Sequence, residues 1–168
     1  MSGIGHLAPG LLAKSVEPKV PLWVFLVAGE TNDLLYFGFT ATGIEKPSTT
    51  STSFTEGVKY LTQGSIGWSH GLFMSVVWSA AIAGVAYLVW RNRRVSALLG
   101  AVVLSHWGLD FLMHSNLPLF FDGSPMLGLG LENSGPGFLL ITIFDLVFLA
   151  VGIFIYFRAR KRDKLSRA

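Results

Sequence analysis

His106, Asp110 and His114 recur every four residues. On a helix, positions i and i+4 lie on one face, a turn apart. The run therefore sets imidazole, carboxylate and imidazole along one stripe. Mixed nitrogen and oxygen donors suit a divalent metal, zinc first, with manganese and iron(II) as the other fits. The chain has no cysteine, which excludes thiolate zinc sites, iron–sulfur clusters, disulfides and thiol nucleophiles. Further groups of the same chemistry are scattered along the chain. Glu30 and Asp33 are three apart and share a helix face. His70 follows Trp68-Ser69, Asp145 stands alone, and His6 lies in Gly5-His6-Leu7-Ala8. Glu30 has the chemistry of a general base for a hydrolytic water. No Gly-rich phosphate loop is present. Ser69 and His70 do not make a nucleophilic pair, because adjacent residues on a helix point apart.

The elements that must carry these groups are apolar. Of 168 residues, 51% are hydrophobic and only 14% charged, against about 25% charged in soluble domains. That balance excludes a disordered chain and argues against an ordinary cytosolic enzyme. Four stretches reach the roughly 20 apolar residues that cross a bilayer: about 20–44, 70–90, 95–114 and 137–157. None alternates with period 2 for long enough to build a barrel, so the spanning option is helical. The predicted fold is all-α: a polytopic membrane protein, one membrane domain over residues 1–168, built as a four-transmembrane-helix bundle. A short apolar N-terminal segment, Ile4 to Ala13, is interrupted by Pro9 and Gly10 and reads as interfacial or re-entrant.

All but Lys46 and Lys59 of the 13 basic residues flank the spans on one side: Lys14 and Lys19, Arg91 to Arg94, and the tail 158–168. By the positive-inside rule both termini are cytoplasmic and loops 45–69 and 115–136 face outward. The basic pI is thus a topology signal, and the short tail, nearly free of stacking aromatics, does not point to nucleic acid. Pro47 to Thr55 reads as a polar surface segment. The apolar loop Pro118 to Gly137 reads as packing over the bundle mouth or lying in the interface. Its Glu132 and Asn133 are candidate caps for the fourth span.

Within the predicted spans lie Glu30, Asp33, Asp110 and Asp145, and no Lys or Arg. An ionisable residue at mid-membrane costs about 2.5–3.5 kcal/mol on insertion scales. Several such carboxylates are compensated by a bound metal cation, by protonation or by water. With the topology above, Asp33, His70, Asp110, His114 and Asp145 fall at similar depth in the outer half. Taken singly, His70 and His114 read equally well as interhelical hydrogen bonds or interfacial helix ends. Asp145 reads as a bond across the bundle. His6 joins the others only if its segment re-enters the bilayer.

The pieces Gly5-His6-Leu7 with Gly10-Leu11-Leu12-Ala13-Lys14, Asp33-Leu34-Leu35, Trp68-Ser69-His70, Ser105-His106-Trp107-Gly108-Leu109-Asp110 with His114, Leu117-Pro118-Leu119 and Gly128 to Ser134 touch most of the chain. In that combination the sequence resembles a bacterial family of uncharacterised inner-membrane proteins labelled membrane-bound metal-dependent hydrolases. The order His, Asp, His, His-x3-Asp is similar to that of the all-helical zinc phospholipase C and single-strand nuclease superfamily. The resemblance implies metal ligation by His6, Asp33, His70, His106 and Asp110, and a bacterial inner-membrane location. The sequence departs from the pattern in two places. Glu30-Thr31-Asn32-Asp33 replaces a Pro-Asp-hydrophobic-Asp run, and Gly67-Trp68 stands where the family often carries another His.

Three functions follow as expectations. The first is a metal-dependent hydrolase acting on a lipid or phosphoester at the outer leaflet, with Glu30 or Asp33 taking the proton. The second is a non-catalytic subunit of a membrane complex, its polar groups holding helices together. The third is a proton- or metal-handling membrane protein, which in so short a chain requires a homo-oligomer.

Overall fold

Arg91 and Asn92 make a two-residue turn between two long antiparallel helices. Arg91 closes α5 (Leu72–Trp90) in the left-handed region at φ 51°. The Asn92 side chain caps α6 (Arg93–Met113) by accepting from the amides of Arg94 at 2.9 Å and Val95 at 3.4 Å. The pair is stapled by small residues. Ser79 Oγ donates to the Gly100 carbonyl at 2.7 Å, and Ser96 Oγ to the Ala83 carbonyl at 2.6 Å. The computed structural model describes residues 3–46, 49–52, 59–62, 64–121 and 123–165.

Within these residues the order is a 3-10 turn (Gly3–His6), α1 (Leu7–Val16), α2 (Leu22–Gly29), α3 (Thr31–Ala41), β1 (Thr49–Thr52), β2 (Lys59–Thr62), α4 (Gly67–His70), α5, α6, β3 (Leu117–Pro118), β4 (Met126–Leu127), a 3-10 turn (Leu131–Asn133) and α7 (Gly135–Leu165). Two short antiparallel hairpins, β1–β2 and β3–β4, are appended to the helices. The rest of the Pro47–Thr55 segment lies outside the described residues, as does the end of the basic tail.

Three helices, α5, α6 and α7, are long and apolar enough to cross a bilayer. They match the second, third and fourth predicted spans. Their outward faces are apolar, as lipid-facing surfaces are; on α7, Leu140 and Phe154 are each 63% exposed. The first predicted span is two helices, broken at Glu30, whose φ of −97° and ψ of 9° leave the helical region. Neither α2, with 8 residues, nor α3, with 11, is long enough to span alone.

The N-terminal segment folds inward as α1 and forms a helical hairpin with α2. Lys14 fastens the turn, its Nζ donating to the carbonyls of Pro18 at 2.7 Å and Val20 at 2.6 Å. Glycines allow the close approach. A Cβ on Gly10 would lie 2.8 Å from the Phe25 carbonyl oxygen, and one on Gly29 2.7 Å from that of His6. The 3-10 turn sets Gly5 against Asp145, and α1 passes Gly152 of α7 at Ala8. It ends near the basic end of α7, so the first described residues lie level with Asp145. An apolar core of Phe25, Leu99, Val102, Val103, Val95 and Ala86 fills the space between α2, α5 and α6 on the side of the Arg91 turn.

The loop 115–134 packs on the opposite end. The Phe73 amide donates to the Leu119 carbonyl at 3.1 Å, and that of Leu129 to the Phe111 carbonyl at 2.8 Å. The cap of α7 is Ser134, whose Oγ accepts from the Gly137 amide at 3.1 Å. Glu132 and Asn133, the expected caps, are turned to His114 and Ser115 instead.

Gly10→Leu should destabilise the detergent-solubilised protein by about 1–3 kcal/mol, the usual cost of overpacking. Gly38→Ala, where a Cβ meets nothing within 4 Å, should change stability by no more than about 1 kcal/mol, in the stabilising direction. Denaturant titration of both variants reads the difference.

Candidate metal centre

His106 is fixed by the break in the first predicted span. The last carbonyls of a helix have no intrahelical partner, and that of Gly29, at the end of α2, accepts from His106 Nδ1 at 2.7 Å. A carbonyl only accepts, so a proton sits on Nδ1, and in its neutral form the ring presents a lone pair at Nε2. The side chain is buried, and Nε2 has no hydrogen-bond partner. It faces Asp110 Oδ2 at 3.4 Å and Asp33 Oδ1 at 3.7 Å.

The other groups converge on the same two carboxylates. His70 Nε2 lies 3.3 Å from Asp33 Oδ1 and 3.5 Å from Asp110 Oδ2. His6 Nε2 lies 3.5 Å, and His114 Nε2 3.7 Å, from Asp110 Oδ1. Asp110 thus shows one oxygen to His70 and His106 and the other to His6 and His114. Its four histidine partners arrive from the N-terminal turn, α4, α6 and the residue that ends α6. Every ion-pair partner of Asp33 and Asp110 among the described residues is a histidine.

These separations suit an ion pair and a shared metal ion alike. They exceed the roughly 2.7–3.2 Å of a good hydrogen bond. Two ligands held about 2.0–2.1 Å from one tetrahedral ion lie about 3.3–3.4 Å apart. The His70–Asp33, His70–Asp110 and His106–Asp110 separations, 3.3–3.5 Å, come near that edge length, while His106–Asp33 at 3.7 Å is longer. Donor atoms of His70, His106 and Asp110 all lie within 4.8 Å of one another, and so do those of His6, Glu30, Asp33 and His106. Asp33 Oδ1 and one Glu30 oxygen, Oε1, are buried without hydrogen-bond partners. The cluster has the donor chemistry of a divalent metal site, with nitrogen and oxygen donors and no sulfur.

Outer contacts orient the rings, as they do around metal-binding histidines. His114 Nδ1 donates to Glu132 Oε1 at 2.7 Å. His70 Nδ1 and Ser69 Oγ are 2.8 Å apart. Ser69 and His70 therefore do meet, contrary to expectation, because α4 ends at His70 and the chain turns extended at Gly71, ψ 139°. Glu45 fixes this short helix from below. Its buried Oε1 accepts from the amides of Trp68 and Ser69, both at 2.9 Å. Asn32 Nδ2 donates to Ser75 Oγ at 2.9 Å and ties α3 to α5.

All six predicted ligands, His6, Asp33, His70, His106, Asp110 and His114, meet in this cluster. Glu30 sits at its rim, half-buried at the helix break. His6 enters because the α1–α2 hairpin folds into the bundle. Asp145 stays outside, its carboxylate against the Gly5 backbone, so a Cβ there would lie 2.5 Å from Oδ1. Glu45, Glu132 and Ser69 were not visible as site residues in the sequence. The only signal for Glu132 was an acidic residue in an otherwise apolar loop. No family model, curated protein or solved structure matches the chain.

Asp110→Asn keeps the shape and removes the charge that faces all four histidines. It should reduce zinc affinity by more than the about 10–100-fold that loss of an outer partner costs. Glu132→Gln should fall within that range through His114. Competition with a chromophoric chelator measures both. Wild-type affinity in Asp110→Asn would contradict the assignment.

Proposed function

We propose that the chain is a membrane-embedded, metal-dependent hydrolase of a bacterial inner membrane, acting on a lipid or other phosphoester near the outer leaflet. The observation that carries this reading is the buried, unpartnered Nε2 of His106, aimed with His70 at the carboxylates of Asp33 and Asp110. His70, His106 and Asp110 would hold the ion, zinc before manganese or iron, with Asp33 and Glu30 in a second donor group that shares His106 and with His6 and His114 on the far oxygen of Asp110. Such an ion, when bound, polarises a phosphoryl oxygen and makes water acidic enough to attack near neutral pH.

The protein supplies the rest. Gly29 and Glu132 fix the ring orientations of His106 and His114. Glu30, with a buried free oxygen beside the ligand set, is the proton acceptor. The loop 115–134 covers the outer end and limits bulk water. An apolar core of Phe25, Leu99 and Val103 lies between the site and the Arg91 turn. Among the described residues this core is apolar, which favours chemistry at the site over conduction through the bundle.

The orientation that goes with this reading puts the Arg91–Arg94 turn and the end of α7 at the cytoplasmic surface. The broken helix α2–α3 would serve as the fourth crossing, as interrupted helices do where they line a site.

Glu30→Gln should retain bound metal and lose phosphodiesterase activity by about 100–10,000-fold, the usual worth of a general base. The assay is product release from phospholipid and lipid-linked phosphoesters in mixed micelles. A metal-replete wild type that releases no product from any of them would leave the accessory-subunit reading in its place.

A further inference from the structure

The basic end of the bundle holds a cavity remote from the histidines. It has a volume of about 400 Å³ and lies between the end of α1, the turn to α2 and the end of α7. Its walls include Lys14, Ser15, Tyr156, Arg160 and Asp163, with Leu22 and Ala159 as apolar surface. The Lys14 ammonium is already anchored by the Pro18 and Val20 carbonyls. Two of its three protons are so engaged, and the remaining one can serve a ligand. Its place is thus fixed before any ligand arrives. Arg160 is exposed at the mouth, and Ser15 and Tyr156 bring hydroxyl groups. Ser15 Oγ donates its proton to the Leu12 carbonyl at 2.7 Å, so it borders the cavity without a free donor.

Two cations and one carboxylate leave the lining with a single net positive charge. That matches a phosphodiester, which carries one negative charge. Arg158, Lys161 and Arg162 on the same helix end, with Arg94 bound to the Val16 carbonyl at 3.2 Å, add a positive field around it. Basic pockets between helices at a cytoplasmic surface are where anionic headgroups bind.

We propose that this cavity binds the phosphodiester headgroup of an anionic phospholipid from the leaflet at the basic end. Lys14 and Arg160 take the phosphate oxygens, and Tyr156 and Ser15 border them. A lipid held there braces the α1–α2 hairpin, and hence His6, against α7. The inference rests on the basic end lying at a membrane surface and is independent of any hydrolase activity.

The test is native mass spectrometry of the full chain, recovered from the membrane fraction and supplied with phosphatidylglycerol or phosphatidylcholine. The wild type should retain one phosphatidylglycerol in preference to phosphatidylcholine. Arg160→Gln should lower that retention about 5-fold, the order of one cation's attraction to an anionic surface. Arg162→Gln, on the same helix end but outside the cavity lining, should leave it unchanged. Equal losses in both variants would mean a diffuse charge effect and overturn the site, as would unchanged retention in Arg160→Gln. Displacement by millimolar inorganic phosphate would make it a soluble-anion site and overturn the lipid assignment. Absence of the wild-type chain from the membrane fraction would instead overturn the membrane reading on which the inference rests.

Discussion

An apolar bundle that buries two carboxylates against four imidazoles, with no Lys or Arg among them, must neutralise them from within. Asp33 and Asp110 have only histidines as partners among the described residues. At least one of those rings, His106, is locked by Gly29 with Nε2 toward the carboxylates, where it presents a lone pair whenever the ring is neutral. Lone pair against negative oxygen is repulsive, and at low dielectric the repulsion is large. A divalent cation among the donors turns each of those contacts attractive. Much of the rest of the structure can be understood as what is needed to bring these donors together.

Two local devices do so. One is the interruption of α2–α3 at Glu30. It gives up helical continuity and in return supplies a carbonyl to orient His106 and places Asp33 in the first turn of α3. The other is the α1–α2 hairpin, which inserts His6 into the cluster. Its close packing depends on Gly10 and Gly29, where backbone meets backbone at distances no Cβ tolerates. Glu45 and Glu132 then hold the peripheral pieces, α4 and the ring of His114. Glu45 is buried, so misplacing α4 would leave its carboxylate uncompensated.

Much of this was legible in the residues. Helices α5, α6 and α7 could be read from continuous apolar runs, since few other elements keep 19 or more apolar residues together. The stripe His106, Asp110, His114 follows from helical spacing alone. The break at Glu30 did not announce itself. The run 20–44 is apolar enough to look continuous, and no proline marks the interruption. The entry of His6 was undetermined, because a ten-residue helix beside a basic turn packs inward only if its neighbours are small at the right places. Ser69 meeting His70 depended on a helix end whose position no periodicity fixes. Glu45 and Glu132 lie in connections, where sequence spacing carries no information about distance in space.

The central claim is that these donors share a divalent metal ion. X-ray absorption at the metal edge, on protein purified without added chelator, tests it most directly. The account predicts a first shell of nitrogen and oxygen only, at about 2.0–2.1 Å, with outer-shell scattering from at least two imidazoles. A protein that folds and carries no metal, or a metal whose spectrum lacks imidazole scattering, would contradict it.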